Sequence, residues 1–299
     1  MKKHFVISLF ATFQVCLISK AQAANTTANN CNQKESVELT TNDIFNLEDP
    51  ETIFLHRWAN LFHIKTKNKT LYNEAAFFLE KCDVDHEDLK ELERHLRGKK
   101  YIRVTLENSG KFLVETWDNW SLMPTVDFGR KGGKNKYAIG IKDRNLFGLG
   151  IDAELESFTN DQRSGYKFKT HFPLFLNNNI NAQINFTSSD DGTSESVFIK
   201  KDFVSFDTSN AFNIGFDNFQ QIDTQYKLGA TYNQFEHNQR YSTASWQWLK
   251  KDSKADTLRF GIGFTNELHE FAVINETQNV DIISVAPSDR EFIYPYLSV

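Results

Sequence analysis

From Met123 onward the chain keeps one side of each segment apolar and the other polar. Pro124, Val126 and Phe128 alternate with Thr125, Asp127 and Gly129, the two-residue period of a strand with one greasy and one wet face. A Gly-Gly turn with polar flanks follows over 131–135, and Tyr137, Ile139 and Ile141 restart the apolar face beyond it. After the NLFGLG stretch ending at Gly150 the pattern resumes with Ile151, Ala153 and Leu155. Further strands are predicted around Tyr166 to Phe172, Ile180 to Phe186, Phe212 to Phe216, Tyr226 to Tyr232, Ala244 to Trp248 and Leu258 to Phe264, with a last one starting at Phe292. Their separators are rich in Asn, Asp, Ser and Gly. The count is roughly ten or eleven strands, each near the ~9–11 residues that a tilted membrane strand requires.

Before Met123 the period changes. Leu71, Ala75, Phe78 and Leu79 fall at helical spacing, and a second helix over Asp88 to Arg97 groups Leu89, Leu92 and Leu96, with Asp85 as its N-cap. Two short strands, Tyr101 to Leu106 and Lys111 to Trp117, are joined by a turn at 108–110. FLHRWANLFHIK, from Phe54 to Lys65, reads as a strand at its end, and order begins near Pro50. Strand, helix, helix, strand, strand describes a small α+β module of about 70 residues, within the usual range of one domain.

The N-terminus changes the compartment. Lys2, Lys3 and His4 precede an apolar run to Ile18, and Ala21-Gln22-Ala23 fits a small-residue cleavage pattern, so residues 1–23 read as an export signal. No other stretch approaches the roughly 20 apolar residues of a helical span. Residues 24–49, rich in Asn, Thr and Ser, read as a disordered leader. Cys31 and Cys82 remain after cleavage, and an oxidising compartment allows them either to pair or to stay as two free thiols.

Composition then narrows the class. The 299 residues include 27 Phe against 2 Met and 5 Pro, and aromatics make up 14%, yet mean hydropathy is negative. A barrel is built this way, because lipid-facing and lumen-facing residues alternate and dilute each other. Trp117, Trp120, Trp246 and Trp248 fit either interface belts or ordinary packing. The net charge of −5 gives no hint of nucleic-acid binding.

Motifs for catalysis are weak. GRKGGK, from Gly129 to Lys134, has the wrong glycine spacing for a phosphate loop, with Asn135 where Ser or Thr should ligate magnesium, and reads as a turn. The eight His are scattered, and His63 and His171 read as strand residues. No Gly-x-Ser-x-Gly elbow is present. The expectation is a protein that is not an enzyme, with no cofactor and no metal.

Three segments carry a resemblance to a known family: DIFNLEDPETIFLHRWANLFHIKTKNKTL, EDLKELERHLRGKKYI, and WDNWSLMPTVDFGRKGGKNKYAIGIKDRNLFGLG. Within the second, Leu92, Glu93, Arg94, Leu96, Arg97 and Tyr101 follow the family's helix pattern. Over 42–299 the chain resembles the outer-membrane protein assembly factors, BamA/TamA-like proteins that join POTRA modules to a barrel of about sixteen antiparallel strands. The resemblance implies a POTRA-like periplasmic module over 50–118 and an outer-membrane barrel over 119–299. The sequence departs from the family in having no Arg-Gly dipeptide after Phe158. With the chain stopping at Val299, the expectation is an incomplete barrel and a truncated product.

An unpaired strand edge is a template for another chain. The expected substrate-pairing residues are Met123, Thr125, Val126, Asp127 and Phe128 on the barrel's first strand, and Tyr101, Ile102 and Val104 on the module's second. The resemblance implies unfolded outer-membrane or secreted polypeptides as partners, besides outer-membrane lipids and accessory periplasmic or inner-membrane proteins, with insertion or translocation as the function. The competing reading is a passive structural barrel or porin anchored by its small domain. A lipid hydrolase would need a Ser, His and acid grouping that the sequence does not display.

Overall fold

The computed structural model describes residues 37–79, 81, 85–108, 112–131, 133–176, 179–251, 257–274 and 285–299. The export signal, Cys31 and Cys82 lie outside them. Among these residues thirteen strands form two sheets: a three-stranded one of order β1-β3-β2 and a ten-stranded one running from β4 to β13 in sequence order.

The small sheet belongs to the N-terminal module. Its strands are β1 (Val37–Asn42), β2 (Ile102–Asn108) and β3 (Phe112–Asp118). Between β1 and β2 lie α1 (Phe54–Phe62), α2 (Asn68–Glu74), the single turn α3 (Ala76–Leu79) and α4 (His86–Arg97). β3 lies central, parallel to β1 and antiparallel to β2. Leu71, Ala75 and Phe78 meet Leu89, Leu92 and Leu96 over Leu39, Ile102, Val104 and Val114 in one buried core. The α4 start is a reciprocal cap: Asp88 N–H donates to the Asp85 carboxylate at 2.9 Å, and Asp85 N–H donates to Asp88 at 3.1 Å.

Two sequence expectations fail in this module. Val37–Asn42, inside the stretch read as a disordered leader, is a strand, because Val37, Leu39 and Thr41 alternate and pair with β3. Phe54 to Phe62 is a helix, not a strand, with Phe54, Leu55, Trp58, Leu61 and Phe62 on one helical stripe.

The large sheet is antiparallel throughout: β4 (Leu122–Lys131), β5 (Lys134–Leu146), β6 (Ile151–Thr159), β7 (Ser164–Pro173), β8 (Ile180–Ser189), β9 (Gly192–Lys201), β10 (Asn210–Lys227), β11 (Ala230–Lys251), β12 (Thr257–Val273) and β13 (Arg290–Ser298). Ten strands match the expected number, although one expected strand is a turn. Tyr226 to Tyr232 straddles the β10–β11 hairpin, where Leu228 and Gly229 take φ of 51° and 82°. β9 takes its place in the count.

Register sorts the two faces. Pro124, Ile141, Leu155, Phe168 and Phe186 stand opposite one another across five strands, and Phe212, Trp246, Ile262 and Leu297 do so across four more. Most of these large side chains are exposed. The other face carries Lys142, Glu154, Lys169 and Asn185 in one row. Lys142 lies 2.9 Å from Asp152 and 3.2 Å from Glu154, and Lys167 lies 3.4 Å from Glu156. One face carries bands of exposed hydrocarbon, interrupted at β9 by Glu195 opposite Phe186 and by Lys201 opposite Phe212 and bordered by the Arg240–Glu270 pair, and the other carries a lattice of ion pairs over β5 to β7. Among the described residues no helix is long and apolar enough to cross a membrane.

Candidate functional site

The strand order places both strands expected to pair with substrate, β4 and β2, at sheet edges. Among the described residues β4 pairs only with β5 and ends the ten-stranded sheet at one side, as β13 does at the other. Among them β2 pairs only with β3 and is an edge of the small sheet. Met123, Thr125, Val126, Asp127 and Phe128 therefore sit together along one unpaired edge. Val126 and Phe128 lie on the exposed apolar face, while the Thr125 hydroxyl is buried against Gly140 and has no hydrogen-bond partner among the described residues. Tyr101, Ile102 and Val104 are buried in the module core, so their side chains pack the fold. What β2 offers a second strand is its backbone. The structure keeps these two sets of residues on separate sheets.

Between the two sheets lies a junction built at the end of the large sheet from which β4 emerges. Asp118, the last residue of β3, is fully buried. Its carboxylate accepts from Thr66 N–H at 2.6 Å and lies 2.6 Å from His63 Nε2 at the C-terminus of α1. His63 is therefore a helix-end residue with a carboxylate partner, where a strand residue was expected. His171 does lie on a strand, β7.

The β5–β6 turn reaches into the same seam. Asn145 donates to Thr66 Oγ1 at 2.7 Å and accepts from Gly150 N–H at 2.7 Å. The Gly148 carbonyl accepts from Lys67 N–H and Thr70 Oγ1, each at 2.9 Å. Gly148 takes φ of 70°, and a Cβ there would stand 2.3 Å from the Lys65 carbonyl oxygen. A second anchor joins α4 to the β9–β10 loop: Glu91 accepts from Phe206 N–H at 3.0 Å, Arg94 donates to the Val204 carbonyl at 3.1 Å, and Lys81 pairs with Asp207 at 2.5 Å. The module is thus fastened to the rim at two places, beneath strands β5 to β10.

A cavity of about 250 Å³ lies in this junction, lined by Glu74, Lys99, Lys100, Tyr101, Lys142, Arg144, Asp152 and His171, among others. Burial and the neighbouring charges of Glu74 and Asp118 push the Tyr101 phenol well above its ordinary 10. Its hydroxyl has no hydrogen-bond partner among the described residues. Glu74 is buried, which pushes its carboxyl up, but the His95 hydrogen bond and the Lys99 and His95 charges outweigh this and hold it below 4.5. A larger open groove of about 600 Å³ lies on the apolar face between Phe212, Ile214, Trp246, Ile262 and Phe264. It lacks the convergent polar groups of a small-molecule site. Among the described residues no three His, Cys, Asp or Glu side chains are arranged to hold a metal ion.

Sequence reading missed His63, Thr66, Asp118, Asn145 and Gly148. The one available signal was the NLFGLG run, whose two glycines mark a turn of unusual backbone.

No family model matches the chain, and no curated protein matches it. Among solved structures it is similar to the crystal structure of BamA from Haemophilus ducreyi lacking POTRA domains 1-3, with a TM-score of 0.39 and 11% sequence identity. The alignment covers 71% of this chain and 50% of that one, so the chain spans about half the length of that structure.

Proposed function

We propose that this is an outer-membrane protein whose ten-stranded sheet crosses the bilayer, and that it assists insertion or translocation of polypeptides by lending them a free strand edge. In this reading the α+β module is a POTRA-like receiving domain in the periplasm and needs no nucleotide. The observation that carries it is the division of one sheet into a face with broad exposed apolar bands and an ion-paired polar face, ending at β4, whose outer edge is free among the described residues. A sheet in water would leave far more contiguous apolar area exposed than soluble proteins tolerate. In a bilayer the same face is the solvated one.

β4 suits transient pairing. Pro124 lacks an N–H, and Gly129 contributes no side chain to packing, so the strand has a weaker ladder than its neighbours. Cysteines at Thr125 or Asp127 are expected to crosslink to nascent outer-membrane chains in cells producing the protein. Crosslinks confined to the protein's own strands would favour the passive barrel.

A further inference from the structure

α1 is an inverted amphipathic helix. Its polar side is the docked one: Asn60 accepts from Phe45 N–H at 3.1 Å and donates to the Phe45 carbonyl at 2.8 Å, and the His56 ring stacks on Phe45 at 4.1 Å. His63, one residue beyond the helix, is tied to Asp118 on the same side. The apolar side faces outward. Phe54, Leu55, Trp58, Leu61 and Phe62 cover an arc of about 120°, and α1 has no buried residue at all. Trp58 is 59% exposed, Leu61 75% and Phe62 65%. A helix that turns its hydrocarbon away from its own core has that face covered by something else.

We propose that α1 lies in the membrane interface on the module side of the sheet, its apolar stripe set into the boundary between headgroups and acyl chains. The inference rests on the reading that the large sheet spans a membrane. Position favours lipid over other occupants. Asp118, which holds the helix end, is four residues before Leu122, so the C-terminus of α1 stands within roughly 14 Å of chain from the first exposed apolar residue of the sheet. Ile64, Trp120, Leu122 and Phe147, all exposed, flank the same anchor points and extend the apolar surface toward the sheet. Charge agrees. α1 has no acidic residue, Arg57 borders the stripe, and Lys65 and Lys67 follow at the rim end. Glu48, Asp49 and Glu51 stand at the opposite, N-terminal approach. Basic flanks with Trp, Phe and Leu on one face are the composition of an interfacial helix, and the cations match anionic headgroups.

The test uses the full chain with its cysteines replaced by serine and one new cysteine, either Leu61→Cys or Ile262→Cys, carrying an environment-sensitive dye. Both side chains are exposed, so the label disturbs no core. The labelled proteins are reconstituted in vesicles of neutral or mixed neutral and anionic lipid containing spin-labelled lipid. The inference expects blue-shifted emission and lipid quenching at both positions, with quenching at 61 stronger in the anionic vesicles. A water-like signal at 61 beside a quenched one at 262 overturns the helix proposal and leaves the spanning sheet standing. A blue-shifted but unquenched signal at 61 means that protein covers the stripe, either a second copy or another segment of this chain, and also overturns it. Quenching at 61 with a water-like signal at 262 supports the helix docking while removing the spanning sheet.

Discussion

His63 Nε2 lies 2.6 Å from Asp118 Oδ2, and this contact joins the end of α1 to the end of β3 just where the chain leaves the module for the large sheet. The same carboxylate oxygen accepts from Thr66 N–H. Three segments thus converge on one buried acid. Asp118→Ala would strand a buried amide and a buried imidazole, each costing about 1–3 kcal/mol, while Asp118→Asn keeps one acceptor. The expected result is a clear drop in the thermal midpoint of the module for Ala and a smaller one for Asn, read by protease resistance of the full chain on heating. Equal, negligible shifts would mean that the seam does not hold the module.

Gly148 separates backbone strain from steric conflict. Gly133 and Gly148 both have positive φ, 82° and 70°, but a Cβ on Gly133 meets nothing whereas one on Gly148 meets the Lys65 carbonyl. Gly133→Ala carries only the conformational cost, about 1 kcal/mol. Gly148→Ala adds the clash and pushes the β5–β6 turn off α2. Hydrogen exchange of the Lys67 amide, which donates to Gly148, is expected to speed up in the second variant and not in the first.

These particulars show what the sequence could reveal. The β4–β5 hairpin was legible because its alternation is uninterrupted, and α4 because Asp85 and the leucine spacing agree. α1 was misread because FLHRWANLFHIK ends in an alternating Leu61, His63 and Lys65 that imitates a strand. β9 went unseen, since GTSESVFIKK places only Val197 and Ile199 on the apolar face, and the Tyr226 to Tyr232 alternation concealed a turn at Leu228 and Gly229. The free edges followed from strand order and could be anticipated. The junction could not, because it joins residues 55 and 79 apart in sequence through side chains with no local pattern.

Glu74 gives the module an acid limit. Its carboxyl is buried, and its hydrogen bond to His95 at 2.9 Å and ion pair with Lys99 at 2.5 Å hold its folded pKa below 4.5. Because the folded value is depressed, its contribution to stability is complete above 4.5 and is lost as pH falls through the folded value. Unfolding of the module in an acid titration is therefore expected to begin below pH 4.5. Glu74→Gln should weaken the module at neutral pH and flatten the acid limb. An unchanged acid limb in that variant would assign the transition to other carboxylates.

The two faces of the large sheet should respond oppositely to charge. Ile262 is exposed on the apolar face, opposite Trp246 and Leu297, while Lys169 lies on the polar face, 3.7 Å from Glu154. In a bilayer, Ile262→Arg places a cation among acyl chains at a cost of about 2–4 kcal/mol near the midplane. Lys169→Leu removes only a half-exposed ion pair, worth about 1 kcal/mol or less. Folding into lipid vesicles, followed by protease protection, is expected to fail or slow sharply for Ile262→Arg and to proceed nearly as in the parent for Lys169→Leu. In a water-soluble sheet the order reverses: an exposed isoleucine accepts arginine at no cost, and a new leucine on the polar face invites aggregation. The pair of variants thus decides which solvent the apolar face was built for.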